Sequence, residues 1–128
     1  MFPKYFLMGA VNAAIAIALG AFGAHGLEDR ITDHYLDVFE TGVRYHMYGA
    51  LGLMLVAVMD KLIGGSRKAA IGGRLIFAGT LIFSLSLYIL ATAGITQLGM
   101  VTPIGGLAML TGWGFVIAAA ANAMKTKQ

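Results

Sequence analysis

The stretch LIFAGTLIFSLSLYILATAGITQLGMVTPIGGLAMLTGWGFVIAAAANAM, Leu75 to Met124, decides the fold, because its 50 residues contain no charge. A membrane-crossing helix takes about 20 mostly apolar residues. The stretch is too long for one crossing and suits two, joined by a tight hairpin. The break falls between Gly94 and Pro103, where Gln97, Gly99 and Thr102-Pro103 interrupt the apolar run. Thr102 is a natural N-cap and Pro103 a natural first helical residue, since proline lacks an N–H that the first turn would leave unpaired. The fourth span is therefore predicted over 103–124. The third is predicted over about 70–93, ending where Gly94 can cap it. Its start is set either by Ser66 or by Gly72-Gly73.

Working outward, Tyr5 to Ala24 gives another 20 residues without a charge, and the first span is predicted over 5–25. The second is predicted over 43–63. Its uncharged core, Tyr45 to Met59, has only 15 residues and is bounded by Arg44 and Asp60. Its ends must therefore reach the headgroups. Lys4, the apolar run and the small residues around Ala21–Ala24 also resemble a secretory signal, but an uncleaved span is the reading adopted.

The whole chain fits this count. Of its 128 residues 59% are hydrophobic and 12% charged, with a mean hydropathy of +0.80. Soluble domains average about 45–50% apolar and 25% charged. A chain this short cannot hide such an excess in one core, which excludes an ordinary soluble enzyme. Disorder is excluded by the same numbers. With no cysteine there is no disulfide, thiolate metal site or covalent haem. The net charge of +3 comes from basic residues scattered between apolar stretches, so no nucleic-acid partner is expected.

Those basic residues orient the chain instead. Four spans place the N-terminus, the central loop and the C-terminus on one side, with Lys4, Lys61, Arg67, Lys68, Arg74, Lys125 and Lys127. The other side has only Arg30 and Arg44, beside the acidic Glu28, Asp29, Asp33, Asp37 and Glu40. Both termini of this multi-pass protein are expected in the cytoplasm.

The first outer loop has helical period. Leu36, Phe39 and Val43 share one face, and Asp33, Asp37, Glu40 and Arg44 share another. Thr32 can cap this segment, and Ile31 can staple it to Leu36. A short amphipathic helix is predicted over 33–41, which either bends at Gly42 onto the membrane surface or continues into the second span. His25, Glu40, Arg44, His46 and Tyr48 all fall near the outer face and form a candidate polar cluster. Ionisable groups at membrane depth often serve proton or ligand traffic. The favoured reading is plainer: an interfacial Glu40–Arg44 pair whose arginine snorkels outward and ties the loop to the bundle.

Other chemistry finds little support. His25, His34, His46 and the loop carboxylates match no metal-ligand spacing, so no metal is expected. His25 and His46 alone do not argue for haem, and no cofactor is expected. No nucleophile elbow or phosphate loop occurs. Most of the 18 glycines are assigned to turns and close helix packing, including Gly9, Gly20 and Gly23, Gly49 and Gly52, and Gly112 and Gly114. Ser84 and Ser86 cannot share a helix face, and Asn12 is expected to bond to a neighbouring helix. Tyr5, Tyr45, Tyr48 and Trp113 suit the membrane interface or helix contacts, with the interface as the default.

Four strings carry a resemblance: GAFGAHGL (Gly20–Leu27), FETGVRYHMYGALGL (Phe39–Leu53), FSLSLYILATAG (Phe83–Gly94) and TPIGGLAMLTGW (Thr102–Trp113). Together they resemble the YwdK/YgdD-like family of small four-helix bacterial membrane proteins, a domain of unknown function, over nearly the whole chain. The resemblance implies an integral inner-membrane protein and no specific activity. The family pattern reads QMYH where this chain has His46-Met47-Tyr48-Gly49. His46 thus stands where Gln is usual, and Gly49 where His is usual. Leu85 stands where a small Gly is frequent.

The expectation is an all-α, polytopic four-helix membrane bundle that is not an enzyme. An interaction or assembly component is favoured, in contact with membrane lipids and either its own copies or other membrane proteins. The alternative is an oligomeric transporter or channel subunit with the outer cluster in its path.

Overall fold

The computed structural model describes residues 1–126. Lys127, counted above with the basic C-terminal end, lies outside the described residues. Four helices follow one another: α1 (Lys4–Gly26), α2 (Asp33–Leu62), α3 (Arg67–Ala93) and α4 (Thr102–Thr126). A 3-10 turn over Thr96–Met100 links the last two. Each of the four is long and apolar enough to cross a membrane.

The local signals explain most boundaries. The Tyr35 N–H donates to Thr32 Oγ1 at 3.2 Å, and the Ala69 N–H to Ser66 Oγ at 3.3 Å, so α2 and α3 start behind side-chain caps. Between them Gly64 and Gly65 take left-handed φ of 84° and 96°. The Asp60 carboxylate braces that turn by accepting from the Ser66 N–H at 2.8 Å. Gly94, at φ 70°, closes α3 with its N–H on the Leu90 carbonyl. α4 differs from expectation. It includes Thr102, and the Ile104 N–H bonds to the Val101 carbonyl at 3.0 Å. Thr102 is not the cap because its hydroxyl is engaged elsewhere, with Ser86 Oγ at 2.6 Å and the Leu98 carbonyl at 3.2 Å.

The amphipathic segment and the second span are one helix of 30 residues, about 45 Å long, with no break at Gly42. Its apolar face does not lie on a membrane surface. Phe39 joins Leu27, Tyr88 and Ala91 in a buried cluster, with Ile31, Tyr35, Leu36 and Val43 packed around it. This cluster caps the end of the bundle that holds the α1–α2 loop. A second cluster, Val56, Ala69, Ile76 and Ala119, fills the opposite end.

Packing runs in chain order: α1 on α2, α2 on α3, α3 on α4. α2 and α3 are central, and α1 buries only Gly9, Ala16 and Gly23. That seven-residue spacing makes one narrow seam of small residues along α1. The closest approach is between α3 and α4. A Cβ on Gly79 would stand 2.6 Å from the Gly105 carbonyl oxygen, and one on Gly105 would stand 2.8 Å from that of Gly79. Gly72 and Gly112 repeat this reciprocal contact one heptad away, each 2.7 Å from the other's oxygen. Backbone therefore meets backbone twice along one antiparallel seam, the geometry that lets apolar helices gain dispersion contact in lipid.

Gly79→Ala is expected to cost about 1–3 kcal/mol by overpacking, seen as a lower melting temperature in detergent. Gly114→Ala is the control, since its Cβ would meet nothing within 4 Å. It is expected to leave stability unchanged or slightly raised, alanine being the better helix former.

Candidate functional site

Four of the five cluster residues do not come together. His25, Glu40, Arg44 and Tyr48 are exposed, and no ion pair joins Glu40 to Arg44 among the described residues. His46 separates from them. It lies two residues beyond Arg44, about 200° around the helix, and so points inward when Arg44 points outward.

His46 is 3% exposed and sits where three helices meet. Its Nδ1 lies 2.9 Å from the hydroxyl of Tyr88 on α3. Its Nε2 lies 2.9 Å from Oδ1 of Asn12 on α1. The Asn12 amide donates in turn to the Met8 carbonyl at 2.8 Å. A carbonyl can only accept, so the amide nitrogen must face Met8 and its oxygen must face His46. His46 therefore donates from Nε2, and Nδ1 accepts the Tyr88 O–H. One ring proton completes a chain running Tyr88 to His46 to Asn12 to Met8, with every member in use.

The surrounding sequence places each group. Gly42 and Gly49 lie one heptad apart on the α2 face toward α3. A Cβ on Gly42 would stand 2.8 Å from the Tyr88 ring, so glycine admits the tyrosine beside His46. Ser84, fully buried, donates to the Gly42 carbonyl at 2.8 Å and fixes the same crossing. The ring of Phe39 lies 4.9 Å from that of Tyr88 and covers it from the side of the α1–α2 loop. Thr80 Oγ1 has no conventional partner. The Cα–H of Gly49 that takes the place of a Cβ points at it, a weak C–H···O contact.

The requirement that Asn12 find another helix was readable from its depth, and the structure supplies His46. Tyr88 was not anticipated. Its signal is positional: it follows Thr80 and Ser84 at four-residue steps, on the face that carries those two buried hydroxyls. Among the described residues no group of three or more His, Asp or Glu is placed to hold a metal. The arrangement can lock α1, α2 and α3 into one register. Both ring nitrogens of His46 and the Tyr88 O–H are engaged within it.

The chain is thus an all-helical integral membrane protein built around a buried, self-satisfied polar relay. It belongs to the family described as "Protein of unknown function (DUF423)", whose model matches residues 19–106 and so includes His46 and Tyr88. It is 49% identical over 116 residues to the UPF0382 membrane protein YwdK of Bacillus subtilis (strain 168), covering 91% of this chain and 94% of that protein. A UPF0382 membrane protein of Staphylococcus aureus (strain bovine RF122 / ET3-1) is 45% identical over 117 residues, covering 90% of this chain and 93% of that one. No solved structure matches the chain.

Interhelical hydrogen bonds in membranes average about 0.6 kcal/mol and reach about 1.7. Tyr88→Phe is expected to cost about 1 kcal/mol, and His46→Leu more, because it strands both partners. His46→Gln keeps one donor and one acceptor and is expected to cost less than His46→Leu. Thermal or denaturant unfolding in one detergent checks the order.

Proposed function

We propose that this protein is a non-catalytic interaction or assembly component of the bacterial cytoplasmic membrane, with both termini in the cytoplasm. The observation that carries the reading is the closed polar chain. Both nitrogens of its buried imidazole are engaged inside the fold, and an apolar cluster packs against Tyr88 at one end. What remains to meet other molecules is the flank of the bundle. α1 and α4 present Ile17 at 65%, Leu110 at 71% and Ile117 at 68% exposure, in spans that keep most of their surface outward. A membrane protein of this size that turns so much of two helices outward suits lateral contact with lipids and with its own copies or other membrane proteins. A transport path would need the outer polar residues around a shared passage. His25, Glu40 and Arg44 instead form no hydrogen bond or ion pair with one another. Orientation rests on the basic residues gathered at the end that holds the α2–α3 turn.

Because the chain has no cysteine, single cysteines test both parts. Asp33→Cys is expected to react with an impermeant maleimide in intact cells, and Lys68→Cys only after permeabilisation. Ile117→Cys carrying a photoactivatable crosslinker is expected to give discrete protein adducts. The reverse labelling pattern would overturn the orientation. Adducts with lipid alone, from Ile117 and likewise from Ile17→Cys, would overturn the assembly reading.

A further inference from the structure

Between α2 and α4 the bundle leaves an apolar groove of about 390 Å³. Tyr45 and Tyr48 form one wall, Met109 and Leu110 the other, with Phe83 of α3 as the floor and Trp113 at the inner end. Both walls run about 10 Å along the membrane normal, from Tyr45 to Gly52 and from Gly106 to Trp113. Trp113 closes the inner end because its ring occupies the space that a Cβ on Gly52 would need, 2.6 Å away. The groove is too small for a helix, which measures about 10–12 Å across with its side chains.

The outer mouth has an ordered charge pattern. Arg44 lies one turn before Tyr48 on the same face of α2, is exposed, and forms no hydrogen bond or ion pair with any described residue. An unpaired guanidinium beside the apolar span is costly unless something anionic meets it. One turn further out, about 6 Å, stands Glu40, and beyond it Asp37, both exposed and also without an ion pair. Moving outward, the order is apolar groove, cation, anions.

A phospholipid with an amine headgroup has the complementary order: acyl chain, phosphate, ammonium. A guanidinium binds phosphate oxygens in a fork. A headgroup whose only charge is the phosphate would leave the carboxylates facing it without compensation. We propose that the groove holds one acyl chain of a phosphatidylethanolamine-type lipid, with its phosphate on Arg44 and its ammonium on Glu40 and Asp37. This site is distinct from the assembly reading, since it requires no protein partner and its test reads lipid selectivity, although Leu110 borders both surfaces.

Trp113 is the only tryptophan and reports the groove directly. The full chain is reconstituted in phosphatidylcholine vesicles containing a small, equal mole fraction of acyl-brominated phosphatidylethanolamine, phosphatidylglycerol or phosphatidylcholine. Brominated phosphatidylethanolamine is expected to quench Trp113 severalfold more than either of the others. Arg44→Gln and Glu40→Gln, at positions that make no internal bond, are each expected to reduce that excess while leaving the melting temperature unchanged. Equal quenching by the three lipids overturns the proposal. So does a preference for phosphatidylglycerol, or an excess that survives both substitutions.

Discussion

A bilayer interior offers no hydrogen bonds, so a polar side chain carried into it must be paired within the protein. An imidazole has no reach to its own backbone like that of Ser or Thr, and so finds its partners on other helices. His46 finds two. Tyr88 and Asn12 reach it from opposite sides, and Met8 terminates the chain. Because the imidazole has one donor and one acceptor, each partner's role is fixed, and so is the way α1 and α3 sit against α2. Sliding α2 by one residue would turn His46 about 100° away and leave polar groups of three helices unpaired in an apolar surround.

Small residues make that meeting reachable. Gly42 admits the Tyr88 ring beside the histidine, and the Gly9, Ala16 and Gly23 seam brings α1 close enough for Asn12. The α3–α4 glycine contacts serve a different end, dispersion between backbones, with the Ser86–Thr102 hydroxyl pair bonding the two helices near one end. The consequence is a bundle packed in chain order, with α2 and α3 at its centre and Trp113 wedged against Gly52 between α2 and α4. The groove beside Arg44 is what that wedge leaves open.

Much of this was legible in the sequence. The uncharged 50-residue stretch, the Thr32 cap and the Gly94 stop point to four helices in the sequence itself, and of the two starts open for α3 the structure takes Ser66. Periodicity also separated the two faces of the first 11 residues of α2, Asp33 to Val43. The site was less legible. Arg44 and His46 are neighbours in the chain, and grouping them overlooked that residues two apart in a helix face nearly opposite ways. Gly42 left a bend and a straight continuation equally open in the sequence, whereas its use here is to receive a ring from another helix. Tyr88 read as neither interface nor partner, since only the α2–α3 crossing reveals what lies opposite it. Thr102 looked like a cap until Ser86, sixteen residues earlier, took its hydroxyl.

The central claim is that His46 donates from Nε2 to Asn12 and accepts at Nδ1 from Tyr88. Nitrogen-15 NMR of His-labelled protein in lipid reads this directly, in a variant with the two exposed histidines replaced (His25→Gln, His34→Gln). The account predicts a single imidazole with its proton on Nε2 and a bare, hydrogen-bonded Nδ1 that loses its bond in Tyr88→Phe. A ring protonated on Nδ1, or a signal unchanged by Tyr88→Phe, would contradict it.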